Sequence, residues 1–276
     1  MNLFILAAGL GTRLKPLTDT MPKALVPVGG RPLLQILIEK IKQECSNPEI
    51  VINIHHFGQQ IIHFVEAHHS FDLPIRFSDE RDQLLETGGG LKQAAPLFNN
   101  NEPILIHNVD ILSNVDLGAF YQQHACDPDV AATFIVSERQ TKRYLLFSDD
   151  NRLVGWTNIE TGEVRSPYPW LRNAKLSQLE GNRYSVSSSP NSGGSRGAVR
   201  LYAFSGIHIV SKSLIELMDD TWTGKFPIID FYLSVCHQVI IRADVRRDLQ
   251  LLDVGKLDTL SQAEEMCLSL YNVDPL

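Results

Sequence analysis

Residues Asn2-Leu3-Phe4-Ile5-Leu6-Ala7-Ala8 run into Gly9-Leu10-Gly11-Thr12-Arg13-Leu14-Lys15-Pro16-Leu17-Thr18, and the chain continues to Pro22-Lys23. The apolar run 2–8 reads as a buried strand. It breaks at two glycines, and three cations follow, Arg13, Lys15 and Lys23, spaced by prolines. Glycines let main-chain N–H groups come close to an anion. Arginine then adds a planar fork and lysine a compact charge. The stretch reads as a strand followed by a loop that wraps the phosphates of a nucleoside triphosphate. Two commoner phosphate loops do not fit. A dinucleotide fingerprint needs a third glycine where Leu14 stands, and no G-x-x-x-x-G-K-[ST] run follows Gly9. The competing reading is a strand with a basic surface turn, and the ordered cations and prolines argue against it.

Outward from this loop, strand and helix patterns alternate. Residues 33–43 carry Leu34, Leu37, Ile38 and Ile41 on one helical face, 49–54 read as a strand, 58–68 as a helix and 74–77 as a strand. This alternation predicts an α/β, Rossmann-like fold, with a mostly parallel central sheet and helices on both faces. Gly88, Gly89 and Gly90 precede a helix expected over 91–98. They would give a flat, side-chain-free surface on which a planar base could lie; the alternative is a flexible turn. Residues 103–111 read as an apolar strand that ends in Asp110. Ligands of open α/β sheets sit beyond such strand ends, and a carboxylate there suits a hard cation such as magnesium, or else a turn cap.

After a helix at 115–123 and a strand at 130–136 the pattern changes. Short strands at 144–147, at 153–156 and from 158 onward, joined by turns, predict a small antiparallel excursion. The Ser/Gly-rich stretch 185–197 reads as a flexible insertion. Strands at 201–210, 239–242 and 251–255, helices at 213–218 and 228–235, and a closing helix from 256 complete the chain. Asp253 is a second acid at a strand end.

The 276 residues, 43% of them hydrophobic, suffice for one large domain. A net charge of −7 speaks against a nucleic-acid partner, which would call for a basic face. Four scattered cysteines form no C-x-x-C pair, and nine histidines show no zinc spacing. No run reaches the roughly 18–20 apolar residues of a membrane span, and the apolar run 2–8 is too short for a secretory h-region and has no basic segment before it. The expectation is a cytoplasmic chain with no membrane partner; its oligomeric state is not encoded in these patterns.

The segment 6–18 and its continuation Met21-Pro22-Lys23-Ala24-Leu25-Val26-Pro27-Val28-Gly29-Gly30-Arg31-Pro32-Leu33 resemble the signature of the sugar-1-phosphate nucleotidyltransferases, matching nearly every position. That family transfers a nucleoside monophosphate from a nucleoside triphosphate to a sugar 1-phosphate and releases pyrophosphate. The resemblance implies the nucleotide-diphospho-sugar transferase type of fold. It implies nucleotide contacts from Leu6, Ala8, Gly9, Gly11, Thr12, Arg13, Lys23, Glu86, Thr87, Gly88 and Gly89, with Arg13 and Lys23 acting on the reacting phosphates. Asp110 and Asp253 would hold Mg2+. The excursion would shape a sugar pocket, with Asn108 and Gly206 facing the sugar, and with Lys142 or Arg143 pairing with its phosphate or forming a solvated charge pair. One domain, 1–276, would then comprise a nucleotide half (1–137), a sugar half (138–253, including the insertion 185–197) and a C-terminal helix (254–276).

Leu85-Glu86-Thr87-Gly88-Gly89-Gly90, with 51–55 and 58–61, is similar to the N-acetylmuramate-1-phosphate uridylyltransferases of cell-wall recycling. This favours UTP and N-acetylmuramate 1-phosphate as substrates. The alternatives are GDP- or dTDP-hexose synthesis from mannose or glucose 1-phosphate, and a nucleotide-sugar sensor without catalysis.

Overall fold

The first strand, β1 (Asn2–Leu6), lies at the centre of the sheet because its residues are apolar on both faces. Leu3 and Ile5 join one core cluster and Phe4 the other. In the computed structural model, which describes residues 1–98, 100–172, 174–187 and 197–271, β1 pairs in parallel with β2 (Glu49–Ile54) on one side and β4 (Ile104–Asn108) on the other. β3 (Ile75–Asp79) lies parallel outside β2. The chain therefore winds outward from β1 to β3 and then crosses to the far side of β1. Parallel strands in this order leave a crevice at the carboxyl ends of β1 and β4, where the winding reverses.

Helices cover both faces. α1 (Leu33–Glu44) buries Leu34, Leu37, Ile38 and Ile41, the stripe expected from the sequence, together with α2 (Gly58–Ala67) and α4 (Leu117–Ala125). On the opposite face Leu91 and Ala94 of α3 (Glu86–Ala94) and Phe231 and Tyr232 of α6 (Ile228–Val235) pack with Phe4 and Val51. A shorter helix, α5 (Lys212–Glu216), adds Leu214 and Ile215 to this cluster.

The long strand β12 (Ala198–Val210) is antiparallel to β4 and also pairs with β6 (Val130–Ser137) and β7 (Arg143–Phe147). β8 (Leu153–Asn158) and β9 (Glu163–Arg165) extend the sheet beyond β7, while β10 (Lys175–Glu180) and β11 (Arg183–Ser187) form a ribbon alongside β12. These are the antiparallel excursion. β13 (Ile240–Val245) returns parallel to β6. A separate two-stranded ladder joins β14 (Leu251–Asp253) to β5 (Ile111–Ser113), setting Asp253 opposite Ile111. α7 (Leu260–Leu270) docks Ala263 and Cys267 onto Leu14, Val26 and Leu33 behind the first loop. The mostly parallel central sheet with helices on both faces is the architecture expected from the sequence.

Three differences from the sequence-based expectation bear on the site. β1 stops at Leu6, because the next two N–H groups bond to the Asn53 side chain instead of to a neighbouring strand. The apolar run 103–111 divides into β4 and β5 with a turn at Val109-Asp110, where Val109 N–H donates to the Leu6 carbonyl. The third is a correction: the glycine triplet does not precede a helix at 91–98 but lies inside α3, which starts at Glu86 and gives way to a 3-10 turn, Ala95–Leu97. Of the stretch 185–197, residues 185–187 end β11 and 188–196 lie outside the described residues.

Candidate active site

A cavity of about 390 Å3 occupies the crevice between β1 and β4. Leu6, Ala7, Ala8 and Gly9 line it from the end of β1, and Asn108, Val109 and Asp110 from the end of β4. Lys23 enters from below, and Asn53, Leu84, Glu86 and Thr87 close the other wall. Its volume lies in the range of small-ligand sites. A Cβ added at Gly9 would meet nothing within 4 Å, so the loop backbone there faces open space. Gly11 has φ +63°, and a side chain on it would press within 2.9 Å of Thr18. Its carbonyl accepts from the Thr18 hydroxyl at 2.8 Å, which pins the turn. Thr12 and Arg13 follow on an exposed helical turn, Thr12–Leu14, anchored by buried Leu14.

Lys23 donates to Asp110 Oδ2, and both side chains are largely buried. Val254 N–H donates to the Asp110 carbonyl at 2.9 Å, so the β5–β14 ladder delivers Asp253 beside Asp110. Burial raises the Asp253 pKa, the adjacent Asp110 charge raises it further, and Lys23 and Arg13 oppose the rise. Arg13 reaches Asp253 at 3.8 Å. Gly255 makes this approach possible, since a Cβ there would lie 2.6 Å from both the Arg13 guanidinium and Asp253 Oδ1. Two acids and two loop cations, widely separated in sequence, thus come together: Lys23 and Asp110 line the cavity, and Asp253 and Arg13 adjoin them without lining it.

The base-side residues separate. Glu86 and Thr87 line the cavity, whereas Gly88 and Gly89 face the segment 224–226. A Cβ at Gly88 would fall 2.3 Å from the Phe226 ring, and one at Gly89 would fall 2.1 Å from the Gly224 carbonyl. The triplet therefore serves close packing of two chain segments and forms no bare platform. Glu86 adopts φ +59° and pairs with Lys225 at 3.3 Å.

On the sugar side, Gly206 sits in a register shift of β12 with φ +84°, and a Cβ there would lie 2.7 Å from Asn108 Nδ2. Glycine at 206 thereby leaves room for the Asn108 amide at the cavity wall. Lys142 is exposed and pairs with Glu160 at 2.8 Å, and Arg143 is exposed at the start of β7; neither lines the cavity. Sequence reasoning missed Arg139, which donates to the Phe204 carbonyl at 2.9 Å and feels the Asp253 charge. It also missed Asn53 and Glu80. Asn53 was open to detection as the one polar side chain within the apolar core of β2.

Residues 3–153 match the nucleotidyl transferase family. The chain belongs to that family. It is 40% identical over 129 residues to N-acetylmuramate alpha-1-phosphate uridylyltransferase of Neisseria meningitidis, a match covering 47% of this chain and 55% of the relative. It is 41% identical over 108 residues to the protein of the same name from Caulobacter vibrioides, covering 38% and 44% respectively. The matches thus span about half the length of these curated relatives. The fold is similar, with a TM-score of 0.68 at 12% identity, to the inositol-1-phosphate CTP transferase of T. maritima, over 98% of this chain and 95% of that one. Such a likeness shows the nucleotide-diphospho-sugar transferase type of fold. Among the described residues no helix is long and apolar enough to cross a membrane.

Proposed function

We propose that this chain transfers UMP from UTP to a sugar 1-phosphate, with N-acetylmuramate 1-phosphate as the acceptor, and releases pyrophosphate with Mg2+ bound. The observation that carries the reading is the convergence of Lys23, Asp110, Asp253 and Arg13 at one end of the switch-point cavity. The two curated relatives named for this activity supply the substrate pair.

In the proposed reaction a phosphate oxygen of the sugar 1-phosphate attacks the α-phosphorus of UTP. The new P–O bond forms as the bond to the β-phosphate bridging oxygen breaks, and pyrophosphate leaves with that electron pair. A phosphate monoester at neutral pH is already ionised, so the step needs no general base and no covalent enzyme intermediate. Catalysis reduces to alignment and charge stabilisation. Lys23, held at the base of the cavity, faces the α-phosphate and offsets the charge that builds there. Arg13, on its exposed turn, meets the departing pyrophosphate. Asn108, set against Gly206, orients the sugar.

The donor set suits a hard cation. Asp110 and Asp253 are two carboxylates near enough that the Asp110 charge raises the Asp253 pKa, a repulsion that a divalent ion relieves. Among the described residues no third His, Cys, Asp or Glu joins them. Magnesium commonly binds through one or two carboxylates and takes its other ligands from substrate phosphates and water. When bound, the ion would draw the two substrate phosphates together and polarise the attacked phosphorus.

Pyrophosphate release, measured with magnesium over UTP, GTP, dTTP, CTP and ATP against the 1-phosphates of N-acetylmuramate, glucose, mannose and N-acetylglucosamine, tests this reading. Release is expected with UTP and N-acetylmuramate 1-phosphate. Silence across the grid, with tight binding of a nucleotide sugar in calorimetry, would replace the transferase reading with that of a sensor.

A further inference from the structure

One buried carboxylate joins the two walls of the cavity. Glu80 is 2% exposed, and among the described residues no lysine or arginine pairs with it. Its Oε1 accepts from Asn53 Nδ2 at 2.8 Å, and its Oε2 accepts from Leu85 N–H at 3.0 Å. Asn53 Oδ1 in turn accepts from Ala7 N–H at 2.6 Å and Ala8 N–H at 3.1 Å, the last two residues before Gly9. His55 Nδ1 donates to the Glu80 carbonyl at 2.6 Å, which holds the segment beneath. A carboxylate is costly to bury, and burial raises the Glu80 pKa, while the hydrogen bonds from Leu85 and Asn53 and the nearby His55 oppose the rise. An uncharged glutamine of nearly the same size could also accept from Leu85 N–H, so packing and capping alone do not call for a buried charge here. Such departures from an apolar interior concentrate where function needs a fixed geometry.

We infer that Glu80, acting through Asn53, is a positioning residue that sets the spacing between the phosphate loop and the 84–87 wall, and so sets affinity for the nucleotide. This role rests on the proposed nucleotide site and turns on matching donors to acceptors. The carboxylate is acceptor-only, so it fixes which end of the Asn53 amide points toward it. That leaves Oδ1 for Ala7 and Ala8. A glutamine at 80 can satisfy Leu85 N–H but then turns a donor toward Asn53 Nδ2. Relief comes only by flipping the Asn53 amide, which sets two loop N–H groups against an NH2 group. An aspartate at 53 restores the match with a glutamine at 80, because it accepts on both oxygens.

The test compares Glu80→Gln, Asn53→Asp and the double variant E80Q/N53D by UTP calorimetry, by KM and kcat, and by thermal midpoint. Each single variant is expected to bind UTP at least about tenfold more weakly while kcat at saturation changes less than KM. The double variant is expected to recover to within about threefold of the parent. Unchanged UTP affinity in Glu80→Gln, or a double variant no better than the weaker single one, overturns the inference. Should a single variant fail to fold, Gly90→Ala decides. Its methyl would sit 2.7 Å from Glu80 Oε1 on a helix that otherwise gains from alanine. Weaker UTP binding at an unreduced midpoint supports the pair's role, and unchanged binding overturns it. Binding without turnover in the parent would remove the proposed reaction but leave the pair measurable; a parent that binds no nucleoside triphosphate overturns both.

Discussion

Lys23 gives one donor to Asp110 Oδ2, which leaves two of its three ammonium donors for a phosphate. The two charges neutralise each other where both side chains are largely buried. With phosphate and a cation present, each partner has a better counter-charge. Lys23→Met is therefore expected to lower kcat for pyrophosphate release by roughly 10²–10³, the usual loss for one preorganised charge-stabilising donor. The fold should persist, because the lysine is held by the site and not by a core. Asp110→Ala is expected to abolish turnover while circular dichroism and the thermal midpoint stay near the parent values. It also removes the charge that raises the Asp253 pKa. Near-normal activity in Asp110→Ala would remove Asp110 from the mechanism.

At the scale of elements, α3 shows how far composition can be read. Three consecutive glycines mark a special place in any chain, but the sequence does not say what occupies the space where their side chains would be. Inside a helix each glycine costs about 1 kcal/mol relative to alanine. That cost is tolerated here because the Phe226 ring, the Gly224 carbonyl and the Glu80 carboxylate press on the three positions in turn. The partners come from distant segments, so local pattern cannot reveal them. Gly89→Ala is expected to destabilise the protein by about 1–3 kcal/mol, since a methyl 2.1 Å from a backbone carbonyl forces overpacking that exceeds the gain in helix propensity. Urea unfolding would measure it, and an unchanged midpoint would mean that the 224–226 segment can move away. The strand-loop 2–23 and the two acids, by contrast, were legible. Their signal is residue type and order within one short run, and the position of an acid at a strand end follows from alternation alone. Asn53 and Glu80 are 27 residues apart and meet only through the pairing of β2 with β3, so neither could be coupled in advance.

The whole molecule buries three histidines in the sheet region that supports the site. His107 and His208 are 1% exposed on β4 and β12, and His124 is 4% exposed on α4. Burial pushes the His107 pKa down to about 4, that of His208 to about 3 and that of His124 to about 4. His208 Nε2 meets the Tyr232 hydroxyl at 2.9 Å, while its Nδ1 and the Nε2 of His107 have no hydrogen-bond partner among the described residues. The folded state thus keeps neutral rings that the unfolded chain would protonate near pH 6.5. The unfolded state binds more protons as pH falls, so stability is full above pH 6.5 and is lost progressively on the way down to the folded pKa values. Between pH 7.5 and 5 each such ring accounts for about 2 kcal/mol, so three together approach the lower end of the net stability of an ordinary domain. Urea unfolding at pH 7.5, 6.5, 5.8 and 5.0 should therefore show a steep fall in stability before most carboxylates titrate. Replacing His208 with leucine and Tyr232 with phenylalanine removes both partners of one buried hydrogen bond, a change that is often nearly neutral. The double replacement should leave stability at pH 7.5 within about 1 kcal/mol and recover about 2 kcal/mol of the acid-induced loss. An undiminished loss would mean that His208 takes up its proton in the folded state as readily as in the unfolded chain and that the acid sensitivity arises elsewhere in the fold.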